Sequence, residues 1–347
     1  MVLGRIVKLG ITVVLVVIVL VVGGFLTGVL GVPSVAVDDP GDWGNVSEAE
    51  TEVVTSINVS NPNPIGVTLG SGVDAEYGVE LNGVRLITGQ RDRVSIPSGD
   101  STIELVSTVD NDRIVPWWRE YVRAGETIEL AATGEVRVNA VLSRTLTVGP
   151  YEQTLLADEQ PVIDAFDGAV SDLEGRYPED EAISDRVGYE IRDASASWAS
   201  VSNETTTMDV TFRIHNPGAV PVPLVPDGFR LDARANDVDL FSAQGDALSP
   251  ESVDGDAVLQ PGQQREVTYT VELENDRIDD WFRSHVERDE RTELTVTPQL
   301  FFEVPGTGTR IAVPPDAAGY SCQFQTGLLV DGQQTQTDCG SGGSVGT

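Results

Sequence analysis

Polar and apolar residues alternate along most of the chain with a period of two. Met208, Val210, Phe212 and Ile214 alternate with Asp209, Thr211 and Arg213 before Asn216-Pro217-Gly218 ends the run. Ile57 and Val59 do the same before Asn61-Pro62-Asn63-Pro64. Such alternation marks strands with one buried and one wet face. Further strands are expected at 77–81, 93–96, 101–108, 127–131 and 136–142. Gly83, Gly89, Gly99, Gly125 and Gly134 punctuate them. Short strands at this spacing predict antiparallel β-sandwiches.

Two stretches switch to a helical period. Ile114, Trp117/Trp118 and Tyr121/Val122 form one stripe, with Pro116 expected at the first helical position. Ile278, Trp281/Phe282 and Val286 form the other, with Asp280 in place of the proline, a carboxylate suited to a first turn. One ring of each aromatic pair is expected in the core. A third short helix is predicted from Val162, Phe166, Val170 and Leu173.

The pattern repeats. Trp43 and Asn61-Pro62 recur as Trp198 and Asn216-Pro217, an offset of 155. Asn111-Asp112-Arg113-Ile114 and Trp117 recur as Asn275-Asp276-Arg277-Ile278 and Trp281, an offset of 164. Gln153-Thr154 recurs as Gln325-Thr326, an offset of 172. Four blocks in one order define two copies, and the drifting offset places insertions in loops, where they cost little. The organisation expected is residues 1–32 as a cytoplasmic N-terminus and transmembrane helix, 33–158 as a first sandwich, 159–185 as a linker with a short helix, 186–331 as a second sandwich and 332–347 as a flexible polar tail.

Residues 9–32, Leu9 to Val32, carry no charge over 24 positions. A spanning helix needs ~20 residues, and a cleaved leader has an apolar run of only ~7–15. The reading is therefore a single-pass transmembrane helix, with cleavage after Ser34-Val35-Ala36 as the competing one. Arg5 and Lys8 before it, and Asp38, Asp39 and Asp42 after it, keep the N-terminus inside and place the domains outside the cytoplasmic membrane. The sequons at Asn45, Asn58 and Asn203 are glycan acceptors in such a compartment. Cys322 and Cys339 would pair there as a disulfide that pins the tail.

Charge narrows the partners. The 347 residues hold 55 acidic and 22 basic side chains, a net charge of −33, and Lys8 is the single lysine. No basic patch is on offer for nucleic acid. A 40% hydrophobic content argues against an acidic disordered chain and for a folded, halophilic protein, since in molar salt the Debye length is ~3 Å. Two histidines and two cysteines are too few for a Cys/His zinc finger. The carboxylate clusters at 179–181 and 276–280 lack the spacing of a calcium loop. No nucleophile elbow or phosphate loop is present. His215, at a strand end, and His285, expected on the exposed side of its helix, have Ser60 and Tyr121 as counterparts, so neither is a shared catalytic base. The chain reads as no enzyme, with no cofactor and no metal.

Asn61-Pro62-Asn63, then Tyr77-Gly78-Val79-Glu80-Leu81-Asn82-Gly83, Gly89 and Ile96-Pro97, resemble the water-stress and hypersensitive-response (WHy) domain of the LEA14-like group 2 late embryogenesis abundant proteins. Asn216-Pro217, Gly228-Phe229-Arg230-Leu231, Gly262 and the Trp281 helix resemble a second such domain, and the acidity points to a haloarchaeal type. In the second copy Gly218 replaces Asn63 and residues 233–237 replace the Leu81-Asn82-Gly83 turn. The resemblance implies a seven-stranded antiparallel sandwich with one helix per copy, and a role in desiccation or water stress without catalysis. The expected function is that of a membrane-anchored, stress-protective protein. The alternative is a surface module that binds a protein, glycan or lipid through the sandwich ends.

Overall fold

The computed structural model describes residues 34–62, 64, 67–69, 73–91, 94–139, 143–155, 160–177, 185–223, 228–244, 258–304, 309–313, 319–325 and 336–341. The expected anchor, Leu9 to Val32, lies outside the described residues, as does Asn63. Among the described residues no helix is long and apolar enough to cross a membrane. The described chain is mostly strand with few helices. It forms two compact units, one dominated by residues up to Glu159 and the other by residues from Gln160 onward.

The first unit holds β1 (Ser34–Val46), β2 (Glu50–Asn61), β3 (Val67–Leu69), β4 (Val73–Leu81), β5 (Val84–Arg91), β6 (Val94–Ile96), β7 (Gly99–Asp110), a 3₁₀ turn (Asn111–Arg113), α1 (Ile114–Arg123), β8 (Ile128–Asn139) and β9 (Ser143–Leu155). The strands run β1-β2-β7-β5-β4-β8-β9. The β5–β7 link is only Ile87↔Val109 and Thr88↔Thr108. That two-pair link joins β1-β2-β7 to β5-β4-β8-β9 in the one seven-stranded sheet. Val53, Val59, Val79, Leu86, Leu130 and Ala132 fill the core.

The second unit opens with α2 (Pro161–Ser171) and β10 (Gly175–Tyr177). It continues with β11 (Tyr189–Val201), β12 (Thr205–His215), β13 (Val222–Pro223), β14 (Gly228–Ala235), β15 (Val238–Gln244), β16 (Val258–Leu259), β17 (Gln264–Glu274), a 3₁₀ turn (Asn275–Arg277) and α3 (Ile278–Glu287). It closes with β18 (Arg291–Val304), β19 (Thr309–Val313), β20 (Tyr320–Gln325) and β21 (Gln336–Ser341). Its sheets run β10-β11-β12-β17 and β15-β14-β18-β20-β21, with β19 also on β18. The period of two is realised in β12, where burial alternates at every residue.

Three sequence expectations change in detail. Pro116 is the third residue of α1, because a 3₁₀ turn leads into the helix. It is still within the first turn, where a missing N–H is tolerated. The helix expected in the 159–185 linker is α2, and it belongs to the second unit. Ile163, Phe166, Ala169 and Val170 are buried, and Phe166 meets Trp198 edge-on at 6.3 Å. Asp167 and Glu174 accept the Ala196 and Ala194 N–H groups at 2.8 and 3.2 Å, and Ser171 Oγ donates to Ala194 O. The helix thus closes an edge of β11. Finally, residues 336–341 of the expected loose tail form β21, bonded through Cys322–Cys339.

Candidate functional site

The repeated polar residues are buried and hold the backbone. Asn111, 1% exposed, accepts from Thr51 Oγ1 at 3.1 Å and donates through Nδ2 to Ser47 O at 3.0 Å. Its N–H reaches Ala49 O at 2.9 Å. Asn275 repeats the arrangement. It accepts from Thr206 Oγ1 at 2.6 Å, donates to Ser202 O at 3.2 Å, and its N–H reaches Glu204 O at 2.8 Å. In each copy this asparagine ties the start of the helix to the preceding hairpin. The sequence showed it as a repeated block without showing its task.

The Asn-Pro asparagine bonds a distant carbonyl in both copies and in the second also closes a local turn. Asn61 Nδ2 donates to Pro97 O at 3.0 Å. Asn216 donates to Val220 O and Leu259 O at 2.8 and 2.9 Å, and its Oδ1 accepts the Gly218 N–H at 2.8 Å. A Cβ at Gly218 would lie 2.8 Å from Arg186 O, so the second copy has no room for the side chain that Asn63 carries in the first. The 233–237 departure preserves the turn of the first copy. Asn82 and Asn236 both adopt positive φ, at 51° and 55°. Asn82 N bonds Glu129 O at 2.7 Å and Asn236 N bonds Glu293 O at 2.8 Å.

A pair of glutamates went unnoticed in the sequence. Glu126 and Glu290 are fully buried, with φ of 63° and 59°. Glu126 accepts from Tyr121 Oη at 3.2 Å. Burial first, then the Glu126 charge and hydrogen bond, push the Tyr121 hydroxyl far above its ordinary range. The available signal was Glu126-x-x-Glu129-Leu130 recurring at offset 164 as Glu290-x-x-Glu293-Leu294.

The aromatic pairs divide unequally. Trp118 is 2% exposed, while Trp117 is half-buried and stacks on Tyr121 at 5.3 Å. Trp281 and Phe282 are both half-buried. Trp281 packs beside Phe324 at 6.3 Å and donates to Thr292 Oγ1 at 3.0 Å. His285 is buried, 4% exposed, rather than on the outer face. It follows Ile278 by seven positions, two helical turns, and so shares its inward stripe.

His215 ends β12 with its side chain 15% exposed. Its Nδ1 lies 2.6 Å from Glu190 Oε2, which also accepts from Arg192 Nε at 2.9 Å. Arg192 donates onward to Gln264 Oε1 at 2.8 Å. Burial raises the Glu190 pKa, but the Arg192 and His215 hydrogen bonds outweigh it and hold the carboxyl below its usual range. This is a surface ion cluster across three strands. Of the sequons, Asn45 and Asn203 are exposed and Asn58 is half-buried, accepting from Thr102 Oγ1 at 2.7 Å. Among the described residues no three His, Cys, Asp or Glu side chains are grouped to hold a metal. A cavity of about 10 Å³ in the second unit is lined by apolar groups including Val210, Phe212, Leu231 and Tyr269. Ligand pockets are usually ~300–1,000 Å³.

Residues 56–153 match a family model described as late embryogenesis abundant protein. The match spans most of the first copy and supports a LEA-type family. No curated protein matches the chain. Among solved structures, a protein from Archaeoglobus fulgidus is 20% identical, with 36% of this chain and 95% of that one covered and a TM-score of 0.26. A protein from Arabidopsis thaliana solved in solution is 11% identical over 35% of this chain and 83% of its own, with a TM-score of 0.22.

Proposed function

We propose that the chain is a non-enzymatic, LEA-type protein that protects against water or salt stress. In this reading residues 9–32 anchor it, and both copies, as two WHy modules, stand at the outer face of the cytoplasmic membrane. The observation that carries the reading is the family match over residues 56–153. The second copy is included because Asn275, Asn216 and Asn236 repeat backbone-holding bonds of Asn111, Asn61 and Asn82. The mechanism is one of surface: folded acidic domains hold water and ions beside the membrane and shield apolar surface of their neighbours.

The test is survival. Deleting the gene should leave growth in steady brine nearly normal and lower survival after drying or a sudden salt shift. A copy carrying His215→Ser and His285→Tyr, the residues of the other repeat, should restore survival. If that variant is folded and abundant yet fails to rescue, the non-enzymatic reading is wrong. A copy without residues 1–32 should rescue less, and equal rescue would remove the anchor from the proposal.

A further inference from the structure

A strand at the end of a sheet presents unpaired backbone groups to any other strand, and folded proteins blunt such edges. Three edges here are blunted by local chemistry. β1 carries Asp38, Asp39, Pro40 and Asp42, and its ladder with β2 shifts register three times. β9 has Gly149-Pro150 where its ladder with β8 shifts. The β11 edge is taken up by Asp167, Ser171 and Glu174 from α2 and the turn after it. β20 carries none of these devices. Its sequence, Tyr320-Ser321-Cys322-Gln323-Phe324-Gln325, has no charge, no Pro and no Gly in a chain of net charge −33. That is the composition of a segment prone to strand pairing. What covers it is β21, its neighbour in the sheet, tied by Cys322–Cys339.

We infer that the Cys322–Cys339 bond is a redox latch on β21, and that its reduction uncovers the β20 edge as a pairing surface for β20 of a second copy of this chain. The two cysteines are unequal. Cys322 is 1% exposed, whereas Cys339 is exposed. A dithiol reductant therefore attacks Cys339 Sγ. The S–S bond breaks, Cys322 leaves as a thiolate that takes up a proton, and a mixed disulfide stands on Cys339. The reductant's second thiol resolves it, releasing the Cys339 thiol and leaving the reductant as its own disulfide. β20 stays in place because it has its own seating. Tyr320 packs against α2 so closely that a Cβ at Gly168 would lie 2.6 Å from its hydroxyl, and Phe324 packs beside Trp281. Two uncovered β20 edges are identical and neutral, which suits a two-fold, edge-to-edge contact. A charged side chain at such an edge opposes pairing.

The full chain in molar KCl tests this, oxidised and with dithiothreitol, beside a Cys322→Ser/Cys339→Ser variant. Hydrogen exchange of the 320–325 amides should speed up roughly tenfold or more on reduction while β2 and β12 stay protected. Light scattering should show a concentration-dependent shift from monomer to dimer, reversed by reoxidation after dilution. Gln323→Lys in the double-serine background should keep the fast exchange and abolish the dimer. Unchanged exchange at 320–325, loss of protection throughout the second unit, a reduced chain that remains monomeric, or a dimer that survives Gln323→Lys would each overturn the inference.

Discussion

Removing the Asn111 side chain strands the buried Thr51 hydroxyl and takes a donor from the Ser47 carbonyl. Each buried polar group left without a partner costs about 1–3 kcal/mol. Asn111→Ala and Asn275→Ala are therefore expected to destabilise their own units by roughly 2–4 kcal/mol, read from urea or thermal unfolding, and a loss below about 1 kcal/mol would show that these asparagines do not hold the helix start to the hairpin. Trp118→Ala should cost ~3–5 kcal/mol as a fully buried ring, and Phe282→Ala clearly less because that ring is half-exposed. Tyr269 gives the opposite sign. Among the described residues its buried hydroxyl has no hydrogen-bond partner, so Tyr269→Phe should be neutral or stabilising. Burial also raises the Tyr269 pKa, as it does that of Tyr121. A raised folded-state pKa gives stability that is fully present below the unfolded value of ~10 and is lost as pH rises above it. Each tyrosine then subtracts ~1.4 kcal/mol per pH unit. Melting temperatures from pH 8 to 11 should fall beyond pH 10, and Tyr121→Phe with Tyr269→Phe should flatten that fall.

At the scale of elements, close approach decides what a strand tolerates. Gly89 faces Tyr77 across the β4–β5 ladder, and a Cβ there would lie 1.9 Å from the ring. The ring cannot move freely, because its hydroxyl shares a 2.6 Å hydrogen bond with Ser107 Oγ. Gly89→Ala should therefore displace Tyr77 and destabilise the first unit by ~1–3 kcal/mol, well beyond the ~0.5 kcal/mol of an ordinary exposed substitution. Ser107→Ala in the same background should recover part of the loss if release of the tyrosine is the limiting motion. Helix α2 is the second case. Asp167→Ala leaves the Ala196 N–H to solvent and should raise its hydrogen exchange locally, without melting the unit.

For the whole molecule, charge sets the working conditions. Fifty-five carboxylates against 22 basic groups repel one another most when salt is low, since the screening length grows from ~3 Å at 1 M to ~30 Å at 0.01 M. The ion pairs between Arg85 and Glu80 or Arg234 and Asp239 are solvent-exposed and offset little of it. A melting temperature that climbs through a KCl series is the expected result, and a flat one would remove the halophilic reading.

The alternating runs and the repeat made the β architecture legible without coordinates, because side-chain period two is a local property of the extended backbone. Both helices of the repeat were legible because helical period is equally local, and the Asn-Pro blocks marked strand ends, although Asn61 and Asn216 complete their bonding far along the chain at Pro97 and Leu259. What the sequence left open depends on residues far apart in the chain. Whether Trp117 or Trp118 turns inward, that His285 is buried, and that residues 161–171 close a sheet edge were decided by which surfaces converge. Glu126 was the least visible of all. A glutamate in a helix–strand connection reads as a wet surface residue, since a buried carboxylate is costly unless a partner reaches it. Only the folded chain brings the Tyr121 hydroxyl within 3.2 Å to meet that need.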